Sequence, residues 1–413
     1  MPDSPEQKKI AMKRILFVDD EPNVLEGLRS LLRRQRKEWH MSFVTSGAAA
    51  LEEMLANPYD VIVSDMRMPQ MDGATLLKRV QQDYPHVVRI VLSGQTEQDV
   101  SRRMVHVAHQ FMSKPCDGRE LQQSIERACN LQALLEHPAL RQAVGQIGQL
   151  PIKPSIYSRL VEVLENPNSS MADAAAVIER DIGTSAKILQ VVNSAFFGLP
   201  QRVGDIKTAV SYLGLEMVKM LSLSVEMRQS QVGLTPCRGF NLDAMVDHGL
   251  LAARIAKRLL QSDRVRSQDA FSGAMLADTG VLVLMSRMPA VFQDIVDRAR
   301  ASGRTLWEVE TEVLGVTHSE IGAYLLGIWG LPYGIVEAVA HHHHPARAGS
   351  TGLDVTLAVH VGACLAEELL PSNPEAHVGA GARLDTELLE RVGLTASLPA
   401  WRDLARTEAA GRR

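Results

Sequence analysis

The chain has 413 residues, a formal net charge of −4 and a pI near 6.4, with 46% hydrophobic and 22% charged residues. At about 150 residues per domain this predicts two or three domains, each able to bury a core. The charge balance argues against a dedicated nucleic-acid surface, and the longest apolar run, around GVLVLM, is far short of the roughly 20 residues a membrane span needs.

The first twelve residues, MPDSPEQKKIAM, have no apolar core or small-residue cleavage site and read as a flexible N-terminus of a cytoplasmic protein. Cys116, Cys129, Cys237 and Cys364 form no CxxC pair, as expected of reduced structural thiols. From residue 13 to about 130 the apolar runs ILFV, MSFV, YDVIVSD, VVRIVLSG and QFMSKP alternate with stretches of helical period. Five strands alternating with helices predict an α/β domain with a doubly wound parallel sheet. The basic run RRQRK at 33–37 reads as a solvated helix end, where cations meet the negative pole of the dipole.

Ligands of such sheets bind at the carboxyl ends of the strands. Asp19 and Asp20 end the first strand, Asp65 the third, Ser93 the fourth and Lys114 the fifth. Three crowded carboxylates repel one another and call for a divalent cation, and an all-oxygen set with water suits Mg2+. A carboxylate can also attack a phosphoryl group while a cation, a lysine and a hydroxyl neutralise the phosphoryl oxygens. Asp65, centrally placed and followed by Pro69 and Gly73 for a turn, is the candidate nucleophile.

FVDDEPN, VIVSDMRMPQMDG, VLSG and FMSKP, in this order over 13–130, resemble the receiver domains of response regulators. The resemblance implies a flavodoxin-like fold with Asp65 as phosphoacceptor, Asp20 and Asp65 as Mg2+ ligands assisted by Asp19, Ser93 and Lys114 as phosphoryl contacts, and Phe111 as an aromatic switch. Read from the sequence alone, Phe111 is equally a core aromatic.

After Pro115 a helical pattern runs to Pro138, and residues 131–145 read as a helical linker. From 146 to 413 helical stretches recur between breakers and no alternating strand pattern emerges, which predicts an all-α region. Ile188, Leu189, Val191 and Val192 form an apolar stripe, with Gly198 and Pro200 as its stop signals. LPIKPSIYSRLVEVL, NSAFFG and AVSYLG resemble the HDOD family, a regulatory relative of HD-domain metallophosphohydrolases, and VGLTASLPAWRDLA resembles the closing helix of those domains.

An HD hydrolase sets histidine and aspartate side by side on one helix, with more ligands from neighbouring helices, so that the metal activates a water. Here that position reads Ala277-Asp278, and a methyl group offers no lone pair. The remaining vestigial set is His248, Asp278, His318, His341 and His342, with His360 near the place of a last aspartate. Successive helical residues are about 100° apart, so the histidines at 341–344 are not expected to converge on one ion, and Pro345 ends their helix. They read as a remnant beside the negative pole of a helix; a structural metal on Asp278, His318 and one or two of 341–343 is the alternative.

The expected protein is thus a phosphorylation-controlled response regulator with a non-catalytic output and no cofactor beyond the receiver's Mg2+. Its expected partners are a sensor histidine kinase, a downstream signalling protein and a second copy of the chain, with no direct nucleic acid and no membrane. The rival reading is a metal-dependent phosphodiesterase acting on a cyclic dinucleotide or another nucleotide.

Overall fold

The structure is a computed structural model. It describes residues 12–93, 107–114, 118–132, 138–145, 147, 150, 159–160, 162–164, 166, 169–193, 199, 202–215, 218, 237–371 and 383–410. Of the sequence features above, Cys116, Gly198, Pro200 and most of LPIKPSIYSRLVEVL and NSAFFG lie outside these residues. The chain divides into two compact units, with the boundary between Asn130 and Leu131.

In the first unit the strands β1 (Lys13–Val18), β2 (Trp39–Val44), β3 (Val61–Asp65), β4 (Val88–Ser93) and β5 (Gln110–Ser113) form one sheet in the order β2-β1-β3-β4-β5, every pair parallel. The alternation expected from the apolar runs is therefore present. β3 is buried along its whole length, as a strand covered on both faces must be. Helices α1 (Pro22–Leu31), α2 (Gly47–Ala56), α3 (Gly73–Asp83) and α4 (Gly118–Gln132) are the crossovers and closing helix that the structure describes. Pro22 opens α1 where its missing N–H costs nothing, while Ser46 and Asp72 cap α2 and α3 by accepting from the N–H groups of Ala49 and Thr75. RRQRK forms a short 3-10 turn after α1.

The sheet order reverses at β1, whose neighbours are β2 and β3, and this makes the crevice. Val18 pairs with Ser64, so the next residues in register are Asp19 and Asp65; Ser93 pairs with Ser113, one residue before Lys114. Asp19, Asp65, Ser93 and Lys114 therefore fall on one edge. The loop after β3 returns sharply, with the Gly73 N–H donating to the Met66 carbonyl at 2.9 Å, and a Cβ on Gly73 would collide with the Asp65 carbonyl oxygen.

The described part of the second unit is helical and contains no strand: α5 (Pro138–Gly145), α6 (Met171–Ile178), α7 (Ile182–Val192), a helical stretch at 206–215, α8 (Leu242–Leu259), α9 (Arg264–Met275), α10 (Thr279–Arg287), α11 (Pro289–Ser302), α12 (Leu306–Leu314), α13 (His318–Ile328), α14 (Tyr333–His341), α15 (Val355–Leu369), α16 (Thr386–Arg391) and α17 (Leu398–Ala410). Every residue of α7 is buried, so the apolar stripe read from sequence belongs to a helix enclosed on all sides. α8, α9 and α15 pack on one another, and α13 packs between α10 and α14. Residues 264–287 are long and apolar enough to cross a membrane by length and composition, but most of that stretch is inside the domain.

Gly280 sets the closest of these approaches. A Cβ there would strike the backbone of His318, and Gly322 faces it one turn further along α13. The two helices therefore meet backbone to backbone, which brings the start of α10 beside the start of α13. Gly280→Ala should cost about 1–3 kcal/mol through forced separation of the pair, read as a lowered urea midpoint for the second unit's transition. An unchanged midpoint would show that the helices part without penalty.

Candidate functional site

At the sheet edge, Asp19 is 1% exposed and Asp65 6% exposed. One Asp19 oxygen accepts from the Glu21 N–H at 3.0 Å and the other lies 2.7 Å from the Lys114 Nζ. Lys114 also pairs with Asp65 Oδ1, while Asp65 Oδ2 accepts from the Arg67 N–H at 2.7 Å. One ammonium thus serves two buried carboxylates. Burial raises the Asp65 pKa against the lowering effect of Lys114, and for Lys114 the two aspartates outweigh burial and hold its pKa up.

Asp20 follows at half-burial, so three carboxylates stand against one lysine. This excess of negative charge is what a hard divalent cation offsets, and the all-oxygen donors fit Mg2+. Ser93 ends β4, where its carbonyl accepts from the Lys114 N–H at 2.8 Å, and Phe111 is partly buried and packed against the core of the first unit. Both readings of Phe111, core aromatic and switch, are compatible with that position.

The second unit has a pocket between α8, α10, α12, α13 and the end of α14, lined by Ala277, Asp278, His318, His342 and His343, with His248 on its wall. α14 stops at His341, and the His344 N–H closes a turn onto the His341 carbonyl at 2.9 Å. His344, which precedes Pro345, is held at φ −134° and ψ 66°, outside helical space. His342 and His343 therefore lie in a turn, their ring centroids 3.9 Å apart. Of the four histidines at 341–344, two meet, 342 and 343, through a turn where a continuing helix was expected.

His318 Nδ1 pairs with Glu310 Oε2 at 2.7 Å, both side chains being almost fully buried, and its Nε2 lies 3.0 Å from His343 Nε2 and 3.5 Å from Asp278 Oδ1. His342 uses Nδ1 on the Val339 carbonyl at 2.8 Å. Burial lowers the His342 pKa to about 4 and holds His343 well below its ordinary value, so both are neutral. At His318 burial also pulls downward, but the Glu310 carboxylate outweighs it and the pKa is raised.

Of the predicted vestigial set, His318 and His342 come together, with His343, and Asp278 approaches His318. His341 sits at the helix end outside the cluster, half-buried, and His248 turns its Nε2 towards the Ala363 carbonyl (3.2 Å) and Glu367 (3.4 Å). His360 has both ring nitrogens engaged: Nδ1 with the His342 carbonyl at 2.8 Å and Nε2 with the Asp385 N–H at 3.0 Å. It clamps the turn at His342 to the start of α16. His343 was named only within the 341–343 alternative, and Glu310 was missed. The signal for Glu310 was present, since it interrupts the buried face of α12 formed by Leu306, Val309 and Leu314.

The response regulator receiver domain family matches residues 15–126 and the HDOD domain family residues 150–345. Among curated relatives, the hydrogenase transcriptional regulatory protein HoxA of Cupriavidus necator is 29% identical over 180 residues, covering 40% of this chain and 37% of that protein. The chain spans between about a third and a half of the length of the first such relatives. Among solved structures, the MmoQ response regulator of Methylococcus capsulatus aligns over 62% of this chain and 98% of its own, at 21% identity and TM-score 0.48. A virulence factor of Campylobacter jejuni aligns over 63% of this chain and 93% of its own, at 20% identity and TM-score 0.50, a likeness of fold. The chain is a response regulator, built of a receiver domain followed by an HDOD domain.

Proposed function

We propose that Asp65 accepts a phosphoryl group from a sensor histidine kinase and that the HDOD domain answers by binding a downstream signalling protein, without catalysis of its own. The observation that carries the first half is the single Lys114 ammonium held between buried Asp19 and Asp65. A pocket with that charge is poised for a cation and for an anionic group that Lys114 can follow. Asp19, Asp20 and Asp65 would hold Mg2+, which when bound neutralises phosphoryl oxygens. Asp65 supplies the attacking oxygen, forming the O–P bond as the P–N bond to the donor imidazole breaks; Lys114 and Ser93 steady the transferred group, and Phe111 packs according to the state of the pocket.

Ala277 supports the second half. It stands buried next to Asp278 on the pocket wall, where a water-activating centre would need a ligand. The convergence of His318, His342 and His343 favours a second reading, a metal-dependent phosphodiesterase for a cyclic dinucleotide or another nucleotide. We assign the protein to the cytoplasm on the strength of its kinase-facing receiver, and a second copy of the chain is a candidate partner in the phosphorylated state.

A small-molecule phosphodonor with Mg2+ should label the protein once, and Asp65→Asn should lose the label in phosphate-affinity electrophoresis and intact mass; equal labelling of the variant would overturn the assignment. Phosphorylation should also change self-association or partner capture, measured by sedimentation and pull-down. Turnover of cyclic dinucleotides in Mn2+, Fe2+ or Ni2+ that vanishes in Asp278→Ala would favour the phosphodiesterase instead.

Lys114→Ala should destabilise the receiver in chelator by about 1–3 kcal/mol, because two buried carboxylates lose their common cation. Added Mg2+ should restore the variant by more than it stabilises the natural protein, as thermal unfolding would show.

A further inference from the structure

We propose that His318, His342, His343 and Asp278 bind one borderline transition-metal ion of the Zn2+ class, inside the HDOD domain and separate from the receiver's oxygen pocket. The inference goes beyond the proposed function and does not depend on it, since the ion can be held whether the output binds or catalyses.

The argument is geometric. One ring nitrogen from each of the three histidines lies within 4.8 Å of the others. Nitrogens 2.0–2.1 Å from a tetrahedral ion stand about 3.3 Å apart, and His318 Nε2 is 3.0 Å from His343 Nε2. The rings are also turned the right way. His318 spends Nδ1 on the Glu310 carboxylate and His342 spends Nδ1 on the Val339 carbonyl, which leaves Nε2 of each ring for an ion, and His318 Nε2 is the nitrogen beside His343. A carboxylate or carbonyl behind the ring is the usual arrangement for orienting a metal-bound histidine. His343 is held from its side by the ring of Trp307, with centroids 5.9 Å apart and planes 28° from parallel.

Asp278 supplies the fourth donor. It stands at the N-cap of α10, yet its side chain caps nothing, whereas the N-cap aspartates 72, 181, 263, 354 and 385 each accept from a backbone N–H three residues on. Its carboxylate is instead 3.5 Å from His318 Nε2. A single proton at that nitrogen can serve either Asp278 or His343; one cation serves both, and His342 as well. Three imidazoles and one carboxylate suit Zn2+, Co2+ or Ni2+ and disfavour Mg2+ and Ca2+, which take oxygen donors.

The test uses the full chain stripped with a chelator and held in excess Mg2+, so that the receiver is occupied while Co2+ is titrated in. The expected result is one equivalent of Co2+ bound, with the intense visible bands of nitrogen-rich, near-tetrahedral cobalt, and their displacement by Zn2+. His343→Gln should abolish the bands, His341→Gln should leave them intact, and Glu310→Gln should weaken binding by about 10–100-fold through loss of ring orientation. Circular dichroism and thermal unfolding of each variant separate lost binding from lost folding. Absence of bands in the natural chain would overturn the proposal, as would bands that persist unchanged in a folded His343→Gln protein, and either result would leave labelling of Asp65 unaffected.

Discussion

Two carboxylates sharing one ammonium, in a place water scarcely reaches, is the constraint around which the receiver is arranged. An unpaired buried charge costs several kcal/mol, so each carboxylate needs a partner there. Lys114 is therefore both the structural counter-ion and the group that must respond when the charge at Asp65 changes. The register of β1 with β3 and of β4 with β5 brings the pair and the lysine to one edge, and Gly73 lets the following loop close against the Asp65 carbonyl without a side chain in between.

The HDOD domain relies on the same kind of proximity, achieved with helices. Backbone contact at Gly280 brings Asp278 to His318, and the end of α14 brings His342 and His343 to the same point. The residues meeting there are short-range polar groups in an apolar pocket whose walls include Phe240, Met245 and Val359. In such surroundings their mutual geometry matters more than their number, since little solvent is present to absorb an error of an ångström.

The receiver was largely legible in the sequence because its chemistry sits where a parallel sheet must put it, at strand ends bounded by long apolar runs. Asp65, Ser93 and Lys114 could be placed from one-dimensional spacing because the sheet register is nearly the spacing itself. The second site was legible only in part. Asp278, His318 and His342 were found through resemblance, whereas His343 could not be singled out from its neighbours while α14 was taken to continue, and Glu310 was hidden because its helix carries no histidine. Both depend on tertiary contacts: where a helix stops before a proline, and which face of α12 is turned inward.

His360 lends the domain a mechanical property of its own. With one ring nitrogen on the His342 carbonyl and the other on the Asp385 amide, it rivets the turn after α14 to the start of α16. The turn that shapes the pocket and the start of the closing helices α16 and α17 thus share a single hinge pin. By linkage, whatever grips those closing helices and distinguishes two settings of the rivet is felt in the pocket, and a pocket occupant alters that grip by the same factor.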